Sequence, residues 1–233
     1  KTEATGTFYS NMTKVEEGVV LLHGVQGEFL FEMDEELLFQ TKDMHVGEVE
    51  LAPVQYKIDG GPIFLELKGD NLIADLHLLR KQKTFINIQA KSDLKEEMWW
   101  INRLIFSPTE GEEWGMTEGV VFQVSDKGVE NFKLSLISEA GEVSVFADTN
   151  NNSPDFSVQL KNVEVKYAAE LVELFGGIED IPENSSGLIQ GTFHVRGLDG
   201  YFGDEDFLII QNLIIPGLVE EIDAVLDLKG KIS

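Results

Sequence analysis

The chain has 233 residues, 42% of them hydrophobic, which is enough to bury a sizeable core. Acidic residues outnumber basic ones 42 to 18, and a net charge of −24 argues against nucleic acid as a partner and against binding anionic headgroups by charge alone. The absence of cysteine excludes a disulfide framework, thiolate catalysis and a cysteine zinc site.

The opening residues, KTEATGTFYSNMTK, read as a piece cut from something longer and carry no targeting signal. No apolar run approaches the ~18 residues of a membrane span. After a short apolar run over 19–22, Val25, Gly27, Phe29 and Phe31 alternate with polar neighbours, the period of a strand with one buried face. Residues 36–39 extend a strand after Asp34-Glu35, and 46–56 alternates through Val49 and Leu51 as far as Pro53. Asp59-Gly60-Gly61-Pro62 predicts a turn. Strands follow over 63–67, 72–78 and 84–90, joined by connections of hairpin length.

Residues 92–106 break this rhythm. Ser92 or Asp93 offers an N-cap, Glu96 and Glu97 fall in a first turn, and Leu94, Met98, Trp99, Ile101, Leu104 and Ile105 make an apolar side, so a helix packed on a sheet is expected. Trp99-Trp100 then reads as a plug over a sheet end, with a stacking platform for sugar or lipid as its alternative.

A loop over 108–115 precedes strands at 119–125, 129–137 and 142–147, with tight-turn sequences between them. Beyond a polar loop at 148–155, Phe156, Val158 and Leu160 alternate with Ser157, Gln159 and Lys161. A short helical pattern over 168–175 is stopped by Gly176-Gly177. Ile189, Gly191, Phe193 and Val195 alternate on the return. An apolar strand over 207–215 is interrupted by Pro216-Gly217, and 218–230 closes the chain as a strand or short helix. The fold class expected is mainly β. It is a long, curved antiparallel meander, groove- or taco-like, with two short inserted helices in a single β-rich domain over 1–233; a β-sandwich is the alternative.

No catalytic signature is present, and no cofactor is expected. His23, His45, His77 and His194 are scattered, without the i,i+2 or i,i+4 spacing of a zinc pair. There is no G-x-S-x-G elbow, no G-x-G-x-x-G and no P-loop. Among 42 acidic residues, carboxylate pairs arise by chance and single out none. The one weak metal candidate is a calcium-like loop, Asp148, Asn150, Asn152 and Asp155. It begins as D-x-N-x-N but has Ser153 where the sharp-turn glycine belongs and Gln159 where a closing glutamate belongs, so a polar Asx-rich hairpin loop explains it as well.

The residues FSVQLKNVEV at 156–165, AELVELFGG at 169–177 and GLIQGTFHVRG at 187–197 together resemble the repeating element of the AsmA-like superfamily of TamB-, YdbH- and YhdP-type bridge proteins. The resemblance covers about a fifth of the chain closely and implies a groove-shaped sheet with an apolar concave face. Two departures stand out: the family's N-terminal membrane anchor is missing, and Trp99-Trp100 sits in a helix such a sheet does not need. By resemblance, the chain is expected to be a non-enzymatic periplasmic segment with its membrane anchor outside it. It is expected to bind phospholipid or another acyl-chain ligand for intermembrane transport, or to serve an outer-membrane assembly partner. The lining residues expected are Phe156, Val158, Leu160, Ile189, Phe193 and Val195, with Phe132, Leu134 and Leu136 from the middle hairpins. The rival is a secreted β-sandwich binding module for carbohydrate or protein, calcium-stabilised through the 148–155 loop or using the two tryptophans.

Overall fold

The computed structural model describes residues 2–15, 20–51, 56–80, 82–107, 112–125, 128–149, 155–167, 184–196, 201–202, 206–216, 219–227 and 230–231, some of them by backbone alone. The chain falls into two compact units, Lys1–Ser107 and Pro108–Ser233. Both are built of antiparallel strands, and neither closes into a barrel among the described residues.

The first unit is a meander of seven strands: β1 (Thr2–Val15), β2 (Val20–Met33), β3 (Leu37–Leu51), β4 (Tyr56–Lys68), β5 (Asn71–Arg80), β6 (Lys83–Asp93) and β7 (Met98–Phe106). Each pairs with the next. Residues 20–22 and 25–32 belong to one long strand, and the polar opening of the chain is β1, paired along its length with β2.

Two expectations are overturned here. Asp59-Gly60-Gly61-Pro62 is not a turn; it lies inside β4, in register with β3, and the pairing with β5 shifts across it. The glycines are there because backbones pass too close for a side chain: a Cβ on Gly60 would overlap the Val46 carbonyl, and one on Gly61 the His77 carbonyl. Where the β3–β4 register shifts, between Gln40 and Met44, the buried Thr41 hydroxyl replaces a missing ladder partner, accepting from Leu65 N at 2.8 Å and donating to Leu65 O at 3.3 Å.

Nor is 92–106 a helix. The capping signal is genuine, since Lys95 N and Glu96 N both donate to Asp93 Oδ1 at 3.1 Å. It closes only a four-residue turn, because Glu97 takes a left-handed φ of 56° and the chain reverses into β7. MWWINRLIF is rich in aromatic and β-branched residues, and pairing with β6 decides its conformation.

The second unit contains β8 (Trp114–Met116), β9 (Val120–Ser125), β10 (Gly128–Glu130), β11 (Phe132–Ser138), β12 (Gly141–Asp148), β13 (Asp155–Glu164), β14 (Ser186–Arg196), β15 (Tyr201–Phe202), β16 (Phe207–Ile215), β17 (Val219–Asp227) and β18 (Gly230–Lys231). Its spine is β8–β11–β12–β13–β14–β16–β17 in pairing order. The expected strand over 129–137 is broken at Asn131, which takes a φ of 57° and separates β10 from β11. Residues 114 and 115, expected in a loop, belong to β8. A single helical turn at 165–167 follows β13; the helix expected over 168–175 lies outside the described residues.

Candidate functional site: an apolar sheet face

Residues directly opposite each other in antiparallel strands share a face, so the register sorts the expected lining residues. Leu134, Val145, Val158 and Phe193 form one row across four strands. Leu136, Val143, Leu160, Gly191 and Leu208 form a second, and Phe132, Ala147, Phe156 and Val195 a third. Ile189 lies opposite Val163 and Ile210, just past a bulge between Leu160 and Val163. The structure therefore gathers all nine expected residues on one face of β11–β14; for Val195 the backbone alone is described.

This face is apolar but incompletely covered. Phe132, Leu134, Leu136, Val158, Leu160, Ile189 and Phe193 are half-buried, and Phe156 is 41% exposed. The opposite face is largely polar and pairs within itself. Ser135 and Ser144 share a hydrogen bond of 2.8 Å, and Lys161 Nζ lies 3.0 Å from Glu142 Oε1. At its edge, the buried Asp206 carboxylate accepts from His194 N at 2.7 Å and faces His194 Nδ1 at 2.8 Å.

The first unit has the same two-faced construction, which the sequence reading did not assign to the site. Phe31, Phe39, Leu67, Leu72, Ser92 and Trp99 form a row across six strands. Ile63, Leu76, Ile88 and Leu104 form another, and Leu65, Ala74, Ala90 and Ile101 lie between them. All are half-buried except Ser92, which is buried and donates to Met98 O at 3.0 Å. The reverse face carries Gln40–Glu66 and Gln89–Asp75 hydrogen bonds of 2.9 and 3.0 Å. The alternation of Trp99 with Ile101 and of Leu104 with Phe106 was the available signal; a one-residue slip at Asn102 hid it inside a helical pattern.

Being consecutive in a strand, Trp99 and Trp100 point to opposite faces. Trp99 joins the apolar rows, while Trp100 lies on the polar face with Lys91 Nζ 5.0 Å from its ring centroid. They cannot act as one stacking platform. Of the calcium-like loop, Asp148 and Asp155 face each other where β12 and β13 part, and Asn150 and Asn152 lie outside the described residues.

A scan against family models, a search of curated proteins and a search of solved structures each return no match for this chain. Among the described residues, no helix is long and apolar enough to cross a membrane.

Proposed function

We propose that the chain is a non-enzymatic segment of an AsmA/TamB-like bridge protein of the periplasm, whose apolar sheet faces hold lipid acyl chains during intermembrane lipid transport or outer-membrane assembly. The observation that carries this reading is the Leu134–Val145–Val158–Phe193 row, apolar on every strand and nowhere fully covered. A closed sandwich hides both inner faces against each other. Apolar surface left in water costs about 25 cal/mol per Å², so an open face of this breadth favours an apolar occupant. Acyl chains suit it because they demand no hydrogen bonds from a surface that offers few. The polar reverse face and the net charge of −24 keep such a sheet soluble while its other side stays greasy.

The test is native mass spectrometry of the purified chain with extraction and identification of bound lipid. Phospholipid is expected on the wild type and lost in Phe193→Glu, with the circular dichroism spectrum unchanged. A Phe193→Glu protein that unfolds would show that the face is a closed core. A correctly folded wild type that carries no lipid and takes none from vesicles would also overturn the reading.

A further inference from the structure

Away from the apolar rows, one cluster gathers metal-ligating side chains of complementary chemistry. His23 on β2 lies directly opposite Glu48 on β3, and Glu50, two residues along, shares the face of Glu48. One ligand atom from each of the three lies within 4.8 Å of the other two. His23 Nε2 is 3.1 Å from Glu50 Oε2, with the side chains 31% and 21% exposed. The row continues to Asp59 on β4, directly opposite Glu48, so a third carboxylate flanks the cluster.

We propose that His23, Glu48 and Glu50 form a binding site for a divalent transition cation of the zinc class. Three arguments combine. The donor set, one imidazole nitrogen and two carboxylate oxygens, suits zinc and its neighbours, whereas calcium and magnesium prefer oxygen alone. Like charges side by side on one sheet face repel; Glu48 has Asp59 directly opposite and Glu50 two residues along, while Lys57 lies opposite Glu50. A dication bound between Glu48 and Glu50 offsets the repulsion of the two carboxylates that ligate it. Next to the site the ladder thins: between the His23–Glu48 and Gln26–His45 pairs no partners are formed at residues 24 and 25, and Gly24 takes a left-handed φ of 63°. A cation held by β2 and β3 together would clamp the two strands beside that gap. With the whole chain at −24, the surrounding field concentrates cations around it. The site was hidden in the sequence because its histidine and its glutamates are brought together only by strand pairing.

The experiment is calorimetric titration of the full chain with zinc chloride, magnesium being present in large excess to occupy scattered surface carboxylates. One zinc per chain is expected, with a rise in the melting temperature. Cobalt(II) in its place should give a visible absorption band. His23→Gln, which keeps a hydrogen-bonding group beside Glu50, should weaken zinc binding by about 100-fold and abolish the cobalt band, ligand loss being at least as costly as loss of a supporting contact. His45→Gln, altering an exposed histidine on the same strand pair, should change neither. No stoichiometric zinc binding, equal binding by His23→Gln and wild type, or equal loss in both variants overturns the proposal. Zinc is read independently of lipid, so either result stands without the other.

Discussion

Val163 and Phe156 belong to the same strand, β13, yet Val163 is 1% exposed and Phe156 is 41% exposed. Val163 lies at the end where the buried residues Trp114, Ala140 and Val165 collect and where Glu164 N donates to Ala140 O at 2.9 Å. Phe156 lies at the other end, in the Phe132–Ala147–Phe156–Val195 row. The first unit repeats the contrast. Val46, Val49, Ile58 and Leu78 are buried toward the 51–56 and 80–83 connections, while Phe31, Phe39 and Trp99, toward the opposite ends of their strands, are half-buried. Alternation makes a face apolar; whether that face is core or open surface depends on what the neighbouring hairpins lay over it. Each sheet has a closed end that holds it together and an end whose apolar face is only partly covered.

The sharpest way to break this contrast is to attack a closed end. Trp114 is 2% exposed and fills the end of the second sheet, so Trp114→Ala should cost about 3–5 kcal/mol in urea unfolding, the usual penalty for emptying a large aromatic site. The same truncation at the open end should cost far less. A comparable loss from Phe156→Ala would erase the distinction.

Next in size is Gly60→Ala. Its added Cβ has to displace the Val46 carbonyl, which is backbone and cannot swing aside. A destabilisation of about 3 kcal/mol is expected from overpacking of this kind. Gly115→Ala, where a Cβ meets nothing within 4 Å, serves as the control and should unfold like the wild type.

These two sites also mark where the sequence was legible. The stretches 63–67, 72–78, 84–90 and 142–147 lie in strands as expected, because short runs of apolar and β-branched residues bounded by turn sequences have few competing explanations. Asp59-Gly60-Gly61-Pro62 misled because glycine pairs serve both turns and close backbone approaches, and only the neighbouring strands reveal which. The 92–106 segment misled because Asp93 does cap, but caps a turn. Strand β1 left almost no signal: TEATGTFYSNMTKV has few apolar residues, and its pairing with β2 defines it. The nine residues expected to line a groove were legible as one face. The half-buried face of the first unit was not, since one slipped residue in β7 disguised its last strand. Exposure itself, the difference between Val163 and Phe156, has no local signature at all.

Phe156→Glu probes the open end directly. With the ring already 41% exposed, a charge there should cost about 1 kcal/mol or less in stability while lowering the lipid recovered from the purified protein. Val163→Glu, on the same strand, should instead unfold the sheet before lipid is ever assayed, because a charge at a position only 1% exposed bears its full desolvation cost. If both variants behave alike, the closed and open ends are not functionally distinct.

The smallest effect belongs to the polar face. Lys161 and Glu142 pair across β13 and β12 at 3.0 Å, with the lysine side chain 51% exposed. Solvent and salt screen such a pair, and ordering two long side chains offsets most of its attraction. Lys161→Ala should therefore shift stability by about 0.5 kcal/mol or less and leave lipid recovery unchanged. The informative comparison is with Phe156→Glu, only five residues away on the same strand but on the other face. Equal retention of lipid by the two variants would mean that the ligand does not distinguish the faces, and the apolar rows would lose their claim to it.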